Sequence, residues 1–109
     1  NISAAEVEGV LRSHPKVVEA AVVPVPDPLR GEEVKAYIQL KPGESFAPEE
    51  AIAFCQANLA AFKIPRFIEF RETDFERTPS MRVQKQALLK EKSGVRQGAW
   101  DRETGKIGE

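Results

Sequence analysis

Metal and redox chemistry have little to build on in this chain. It carries one cysteine, Cys55, and one histidine, His14, far apart and without ligand spacing. That argues against a zinc site, and no metal-binding residue is expected. A lone cysteine excludes an intrachain disulfide and fits a reducing compartment. Cys55 lies in an apolar helical stretch and reads as a small buried hydrophobe. No apolar run is long enough to span a membrane, and no signal-peptide pattern is present. A cytoplasmic location is the expectation. Acidic and basic residues nearly cancel, leaving a net charge of −1. Bulk charge therefore points neither to nucleic acid nor to an anionic membrane. A Gly-x-x-Gly clamp and interleaved aromatic stacking positions are also missing, so no nucleic-acid partner is expected. Any anion site must be local.

What is present is ordinary globular material: 109 residues, 41% hydrophobic and 30% charged, enough for one domain with a modest core. Ser3-Ala4-Ala5-Glu6 reads as a capping box. Val7, Val10 and Leu11 follow at helical spacing, and His14-Pro15 ends the helix. His14, at that helix end, reads as structural. Residues 17–25 are β-branched and apolar on both faces, which predicts a central, covered strand. Prolines 24, 26 and 28 punctuate a loop. Residues 34–40 alternate, with Val34, Ala36, Ile38 and Leu40 on one side, which predicts a strand with one wet face. Pro48 opens a second helix with Glu49 and Glu50 at its positive end and Ile52, Cys55 and Leu59 turned inward. Residues 67–70 form a short third strand, and 84–92 a closing helix carrying Ala87 and Leu88. From Ser93 the composition turns polar and glycine-rich, with Trp100 as the large apolar residue. Residues 1–92 are expected to form the domain and 93–109 a flexible polar tail that docks through Trp100. The fold class is α+β, a small, largely antiparallel three-stranded sheet flanked by helices. Glu6, Glu8, Glu32, Glu33, Glu49 and Glu50 read as solvated faces and helix starts.

The stretch Arg77-Thr78-Pro79-Ser80-Met81-Arg82-Val83-Gln84-Lys85 is a turn loaded with cations just before the last helix. Together with Ile2-Ser3-Ala4-Ala5-Glu6-Val7-Glu8, His14-Pro15-Lys16-Val17-Val18-Glu19-Ala20-Ala21-Val22-Val23, Pro26-Asp27-Pro28-Leu29-Arg30-Gly31-Glu32 and Lys63-Ile64-Pro65-Arg66, it resembles the C-terminal domain of the adenylate-forming superfamily. Acyl-CoA ligases, luciferases and peptide-synthetase adenylation domains make up that superfamily. The resemblance runs from Asn1 to about Lys90. The polar end carries no carrier-domain serine motif, which favours the acid–CoA ligase branch. The chain has no initiator methionine and reads as an excised domain.

The resemblance implies a large N-terminal domain, absent here, that binds ATP, Mg²⁺ and a carboxylic acid. The C-terminal domain would swing between two poses, one for acyl-adenylate formation and one for CoA. The family's lysine falls on Arg82, and a glycine of the family's turn on Met81. Attack of a carboxylate on a phosphate needs a cation between the two anions. Arginine keeps the charge with a wider, planar head. Arg82 as a working substitute, an impaired adenylation step or transfer of the role to Lys85, and a solvated surface charge are the alternatives for this turn. Transfer to Lys85 requires a changed local register. In relatives the loop at Arg30 and Gly31, and the segment with Lys63 and Arg66, lie near the CoA nucleotide. A surface salt bridge to Glu32 or Glu33 is the alternative for Arg30, and a solvated charge the alternative for Lys63 and Arg66. A catalytically degenerate binding or assembly module is the rival reading of the whole chain, favoured by Met81 and Arg82.

Overall fold

The computed structural model describes residues 4–29, 31–91 and 96–108. Helix α1 spans Ala4–Arg12, with Glu6 in its first turn and Arg12 in its last, both suited to the helix dipole. Ser3, half of the expected capping box, lies outside the described residues. The helix buries Val7 and Leu11 completely. Ser13 closes it, donating its amide to Gly9 O at 3.2 Å and its hydroxyl to Val10 O at 2.6 Å. Helix α2, Pro48–Asn58, starts on proline and buries Ala51, Ile52 and Cys55. The Glu50 carboxylate accepts the Ala47 amide at 3.1 Å, satisfying one donor just ahead of the helix. A single 3₁₀ turn, Ala61–Lys63, follows. The last helix, α3, is Lys85–Lys90.

Strands β1 (Val17–Asp27) and β2 (Gly31–Leu40) form a long antiparallel hairpin. β3 (Phe67–Arg71) pairs with β2 in parallel, the chain having crossed over through α2. β4 (Trp100–Asp101) and β5 (Lys106–Ile107) extend the sheet antiparallel beyond β3. The order is β1-β2-β3-β4-β5. Among the described residues five strands thus replace the expected three. The added pair falls in the segment read as a polar tail, where Trp100 joins the main core.

Two expectations about the sheet are corrected. β1 is an edge strand, not a central one. Its apolar run at residues 20–23 is covered on both faces, but strand pairing occupies one side. The free edge is closed by other means. The Ala20 amide donates to Glu19 Oε1 at 3.0 Å and the Val22 amide to Glu8 Oε2 at 2.8 Å. Pro24 and Pro26, next in the same alternation, have no amide hydrogen to offer. β2 has no wet face: Lys35, Tyr37 and Gln39 are buried as fully as Val34, Ala36, Ile38 and Leu40. Lys35 can be buried because its ammonium meets Glu69 Oε1 at 2.9 Å and lies 4.3 Å from the centre of the Tyr37 ring. Burial, then the Glu69 charge, push the Tyr37 phenol up to about 12.

One face of the sheet packs on α1 and α2. The other carries Ala21, Val23 and Tyr37 against Phe75 and Leu88 from the loop before α3 and from α3 itself. His14 is structural, as expected: Nδ1 accepts the Lys16 amide at 3.1 Å, and the ring stacks on Phe46 at 4.4 Å.

Two outcomes follow. Burial pushes the Cys55 thiol up to about 11, so it should resist iodoacetamide at pH 8 until denaturant is added, as mass spectrometry would show. Trp100→Ala should lower stability by about 3 kcal/mol in urea denaturation, because it empties a core site.

Candidate functional site

The cation-rich turn is a closed hairpin. Arg77 and Val83 form an antiparallel bridge. Inside it, the Thr78 amide donates to Arg82 O at 2.8 Å and the Met81 amide to Thr78 O at 2.8 Å. Pro79 supplies the fixed φ that suits the second position of such a turn. Met81 then takes φ 68°, the left-handed position that closes a three-residue hairpin loop and that glycine ordinarily fills. Thr78 Oγ1 accepts the Arg82 amide at 3.2 Å and lies 3.0 Å from Ser80 Oγ. The Arg77 guanidinium donates to Met81 O at 3.1 Å. The side chains of Met81 and Arg82 project into solvent. Arg82 makes no side-chain hydrogen bond or ion pair among the described residues.

Two carboxylates fasten this hairpin to the rest of the domain. Glu19, on β1, takes Arg77 Nη2 at 3.0 Å and Arg12 Nη1 at 2.9 Å. Glu8, on α1, takes Lys85 Nζ at 2.8 Å while also accepting the Val22 amide. Burial alone would push the Glu19 carboxyl up. Arg12, the Ala20 amide and Arg77 outweigh it and hold the group below the ordinary carboxylate range. Its stabilisation is therefore complete above the unfolded-state value and is lost only as pH falls through the depressed folded one. A cleft of about 570 Å³ opens between α1, β1 and the hairpin, lined by Glu8, Arg12, Glu19, Arg77, Arg82 and Lys85, among others. Arg82 and Lys85 thus come together, Arg82 free and Lys85 engaged.

The second group of candidates lies elsewhere, and none of Gly31, Lys63 and Arg66 lines that cleft. Arg30 lies outside the described residues. Gly31 sits at φ 80° opposite Asp27, where the β1–β2 hairpin needs a left-handed residue. Lys63 Nζ pairs with Glu6 Oε1 at 2.6 Å. Arg66 is engaged on several sides. Nη1 meets Asp27 Oδ2 at 2.9 Å, and Nε and Nη2 grip both oxygens of Asp101 at 3.0 and 3.1 Å. The bond to Asp101 raises its pKa further. Next to this group a second cleft of about 460 Å³ is lined by Glu32, Glu33, Phe62 and Arg102, among others. Among the described residues no group of three or more His, Cys, Asp or Glu could hold a metal ion, and no helix is long and apolar enough to cross a membrane.

Sequence reasoning missed the work of Glu8, Glu19 and Arg12. Glu8 was expected on a solvated face, yet it is largely covered because it caps a strand amide. For Glu19 a signal existed: it is the charged residue inside an apolar β-branched run. Its partner Arg77 stands 58 positions away, so no local pattern could pair them.

Residues 6–82 match the family of AMP-binding enzyme C-terminal domains. The crotonobetaine/carnitine–CoA ligase of Proteus mirabilis is 43% identical over 72 residues, which cover 66% of this chain and 14% of that ligase. The Brucella canis acyl-CoA synthetase structure superposes with a TM-score of 0.71 at 42% identity, covering 78% of this chain and 16% of that one. The ATP-bound MatB of Rhodopseudomonas palustris gives 0.74 at 32% identity, covering 81% and 17%. The chain therefore spans about a sixth of the length of such relatives, or a little less.

The strain at Met81 generates an expected outcome. A left-handed non-glycine residue costs roughly 1–2 kcal/mol, while glycine adds about 0.4–1 kcal/mol of unfolded-state entropy. Met81 is 69% exposed and gives up little packing. Met81→Gly should therefore stabilise the domain by about 0.5–1 kcal/mol, read as a higher denaturation midpoint at unchanged slope.

Proposed function

The chain belongs to the family of AMP-binding enzyme C-terminal domains, and on that premise we propose that it is the mobile C-terminal domain of an ATP-dependent, AMP-forming acid–CoA ligase. The remainder of that protein, a large N-terminal domain, binds ATP with its Mg²⁺ and the carboxylic acid. This domain brings a cation to acyl-adenylate formation and offers another face to CoA. The enzyme works in the cytoplasm. The similarity to named CoA ligases and acyl-CoA synthetases supports the reaction class. One observation carries the role of the hairpin: among the described residues Arg82 is a solvent-facing guanidinium without a side-chain partner, on a turn tied down through Arg77 and beside an open cleft.

In the first half-reaction a carboxylate oxygen attacks the α-phosphorus of ATP and the bond to pyrophosphate breaks. Negative charge gathers between the incoming and departing groups. Arg82 stabilises that charge where it develops. Arginine stays protonated throughout, so it acts as a fixed charge and not as a proton carrier. Lys85 is a poorer candidate, being already held by Glu8. In the second half-reaction the CoA thiol attacks the acyl carbon and AMP leaves. Gly31, with the neighbouring Arg30, and the segment of Lys63 and Arg66 form the face that meets CoA. Lys63, with one carboxylate partner and partial exposure, is better placed to exchange that partner for a phosphate than the enclosed Arg66.

Met81 and Arg82 in place of glycine and lysine favour a second reading, a domain of this fold retained for binding or assembly. Pyrophosphate release by the full-length protein separates the two. Release should depend on added carboxylic acid and fall about 100- to 1000-fold in Arg82→Ala, with Arg82→Lys no faster than native. Thioester formation from preformed acyl-adenylate should change little. Negligible native release across a panel of acids would support the binding module, and rescue by Arg82→Lys would show that adenylation was lost at this residue. The isolated domain should turn over nothing.

A further inference from the structure

The peptide that carries Arg82 is held from both sides. Its carbonyl, Met81 O, accepts Arg77 Nη1 at 3.1 Å, and its amide hydrogen goes to Thr78 Oγ1 at 3.2 Å. The Met81 amide, one residue earlier, is bound to Thr78 O at 2.8 Å. Thr78 belongs to the hairpin and moves with it. Arg77 alone in this set reaches outside, through Nη2, to Glu19 Oε2 at 3.0 Å. A continuous chain of charge-assisted bonds therefore runs from strand β1 to the peptide before Arg82.

Glu19 is built to be an immobile end for that chain. Its side chain is 14% exposed. Oε1 accepts both Arg12 Nη1 at 2.9 Å and the Ala20 amide at 3.0 Å, leaving Oε2 to Arg77. β1 beneath it is locked into a long ladder with β2. The hairpin, by contrast, contributes Val83 only as a partly buried neighbour of the second core cluster. Few apolar contacts hold it, so the ion pairs must.

We propose that Glu19 is a positioning residue: through Arg77 it sets the orientation of the Met81–Arg82 peptide and hence where the Arg82 guanidinium lies during adenylation. This rests on the function proposed for Arg82. The arrangement also makes room for the left-handed Met81, because Arg77 holds the very carbonyl that the strained residue turns outward. Arg12 plays a different part. It lies on α1 and steadies Glu19, with no hydrogen bond or ion pair to the hairpin among the described residues. Misplacing a reacting charge by about 1 Å costs on the order of 100-fold in rate, so loosening this tether is felt in the first half-reaction and not in the second.

The test uses Glu19→Gln, Arg77→Gln, their double variant and Arg12→Gln in the full-length protein. Pyrophosphate release in Glu19→Gln should fall about 10- to 100-fold in kcat, with KM for ATP and acid little changed and thioester formation from preformed acyl-adenylate near native. Arg77→Gln should match it, the double variant should be no worse than either, and Arg12→Gln should cost less. Hydrogen exchange supplies a readout independent of activity. In Glu19→Gln the amides of residues 78, 81, 82 and 84 should lose protection at least tenfold while those of β2 keep theirs. Equal loss in both half-reactions, additive single variants, or unchanged hairpin protection would each overturn the proposal. Should native protein release no pyrophosphate, the function proposed for Arg82 fails, and with it the positioning role of Glu19 in adenylation; the exchange data then decide whether the tether itself exists.

Discussion

Two carboxylates, Glu8 and Glu19, hold the cation-rich hairpin to the rest of the domain. The hairpin buries little apolar surface of its own, so its place in the fold is electrostatic before it is hydrophobic. Each carboxylate serves a strand amide and a cation from the 77–85 segment at the same time. Charge-assisted bonds of this kind are stronger and more directional than neutral ones. Partial burial of both acids keeps solvent from competing. The cost of desolvating Glu19 is visible as an upward push on its pKa, and the guanidinium groups around it outweigh that push. A loop so held can leave one cation, Arg82, exposed while its neighbours are satisfied.

A similar economy operates at the other end of the domain. Arg66 joins Asp27, at the end of β1, to Asp101 in β4, and its backbone carbonyl takes the Arg102 amide at 2.8 Å. With Trp100 in the core, this fixes the short β4–β5 hairpin beside β3. These strands lie beyond residues 6–82, which match the family; the β3 ladder, the Arg102 guanidinium on Pro65 O at 3.1 Å and buried Ala99 against Val25 and Phe67 hold them further. In the interior, Lys35 and Glu69 do the comparable work, letting a strand with charged residues be covered on both faces.

Local pattern made much of this legible. Capping residues, prolines and apolar spacing located the helices and the first three strands, and the turn at 77–85 pointed to the family. What escaped was pairing over distance. An apolar run such as 20–23 reports that a strand is covered, not which neighbours it pairs with, so an edge strand was read as central. The alternation in 34–40 reported Lys35 as wet because its partner Glu69 lies 34 positions further on. Trp100 was expected to dock, but two-residue strands leave no periodicity to detect. Met81 and Arg82 were visible as departures from a familiar turn, whereas the acids that hold that turn gave no motif at all.

The closed edge of β1 has a consequence for the behaviour of many copies together. Along that edge the donors at residues 20 and 22 are bound to carboxylates, and those at 24 and 26 do not exist. An edge with these donors engaged or missing is a poor template for a strand from another molecule. Glu8 and Glu19 therefore occupy the donors of an exposed strand edge with the same carboxylates that latch the hairpin, so one pair of acids shields the sheet from its neighbours and shapes the turn.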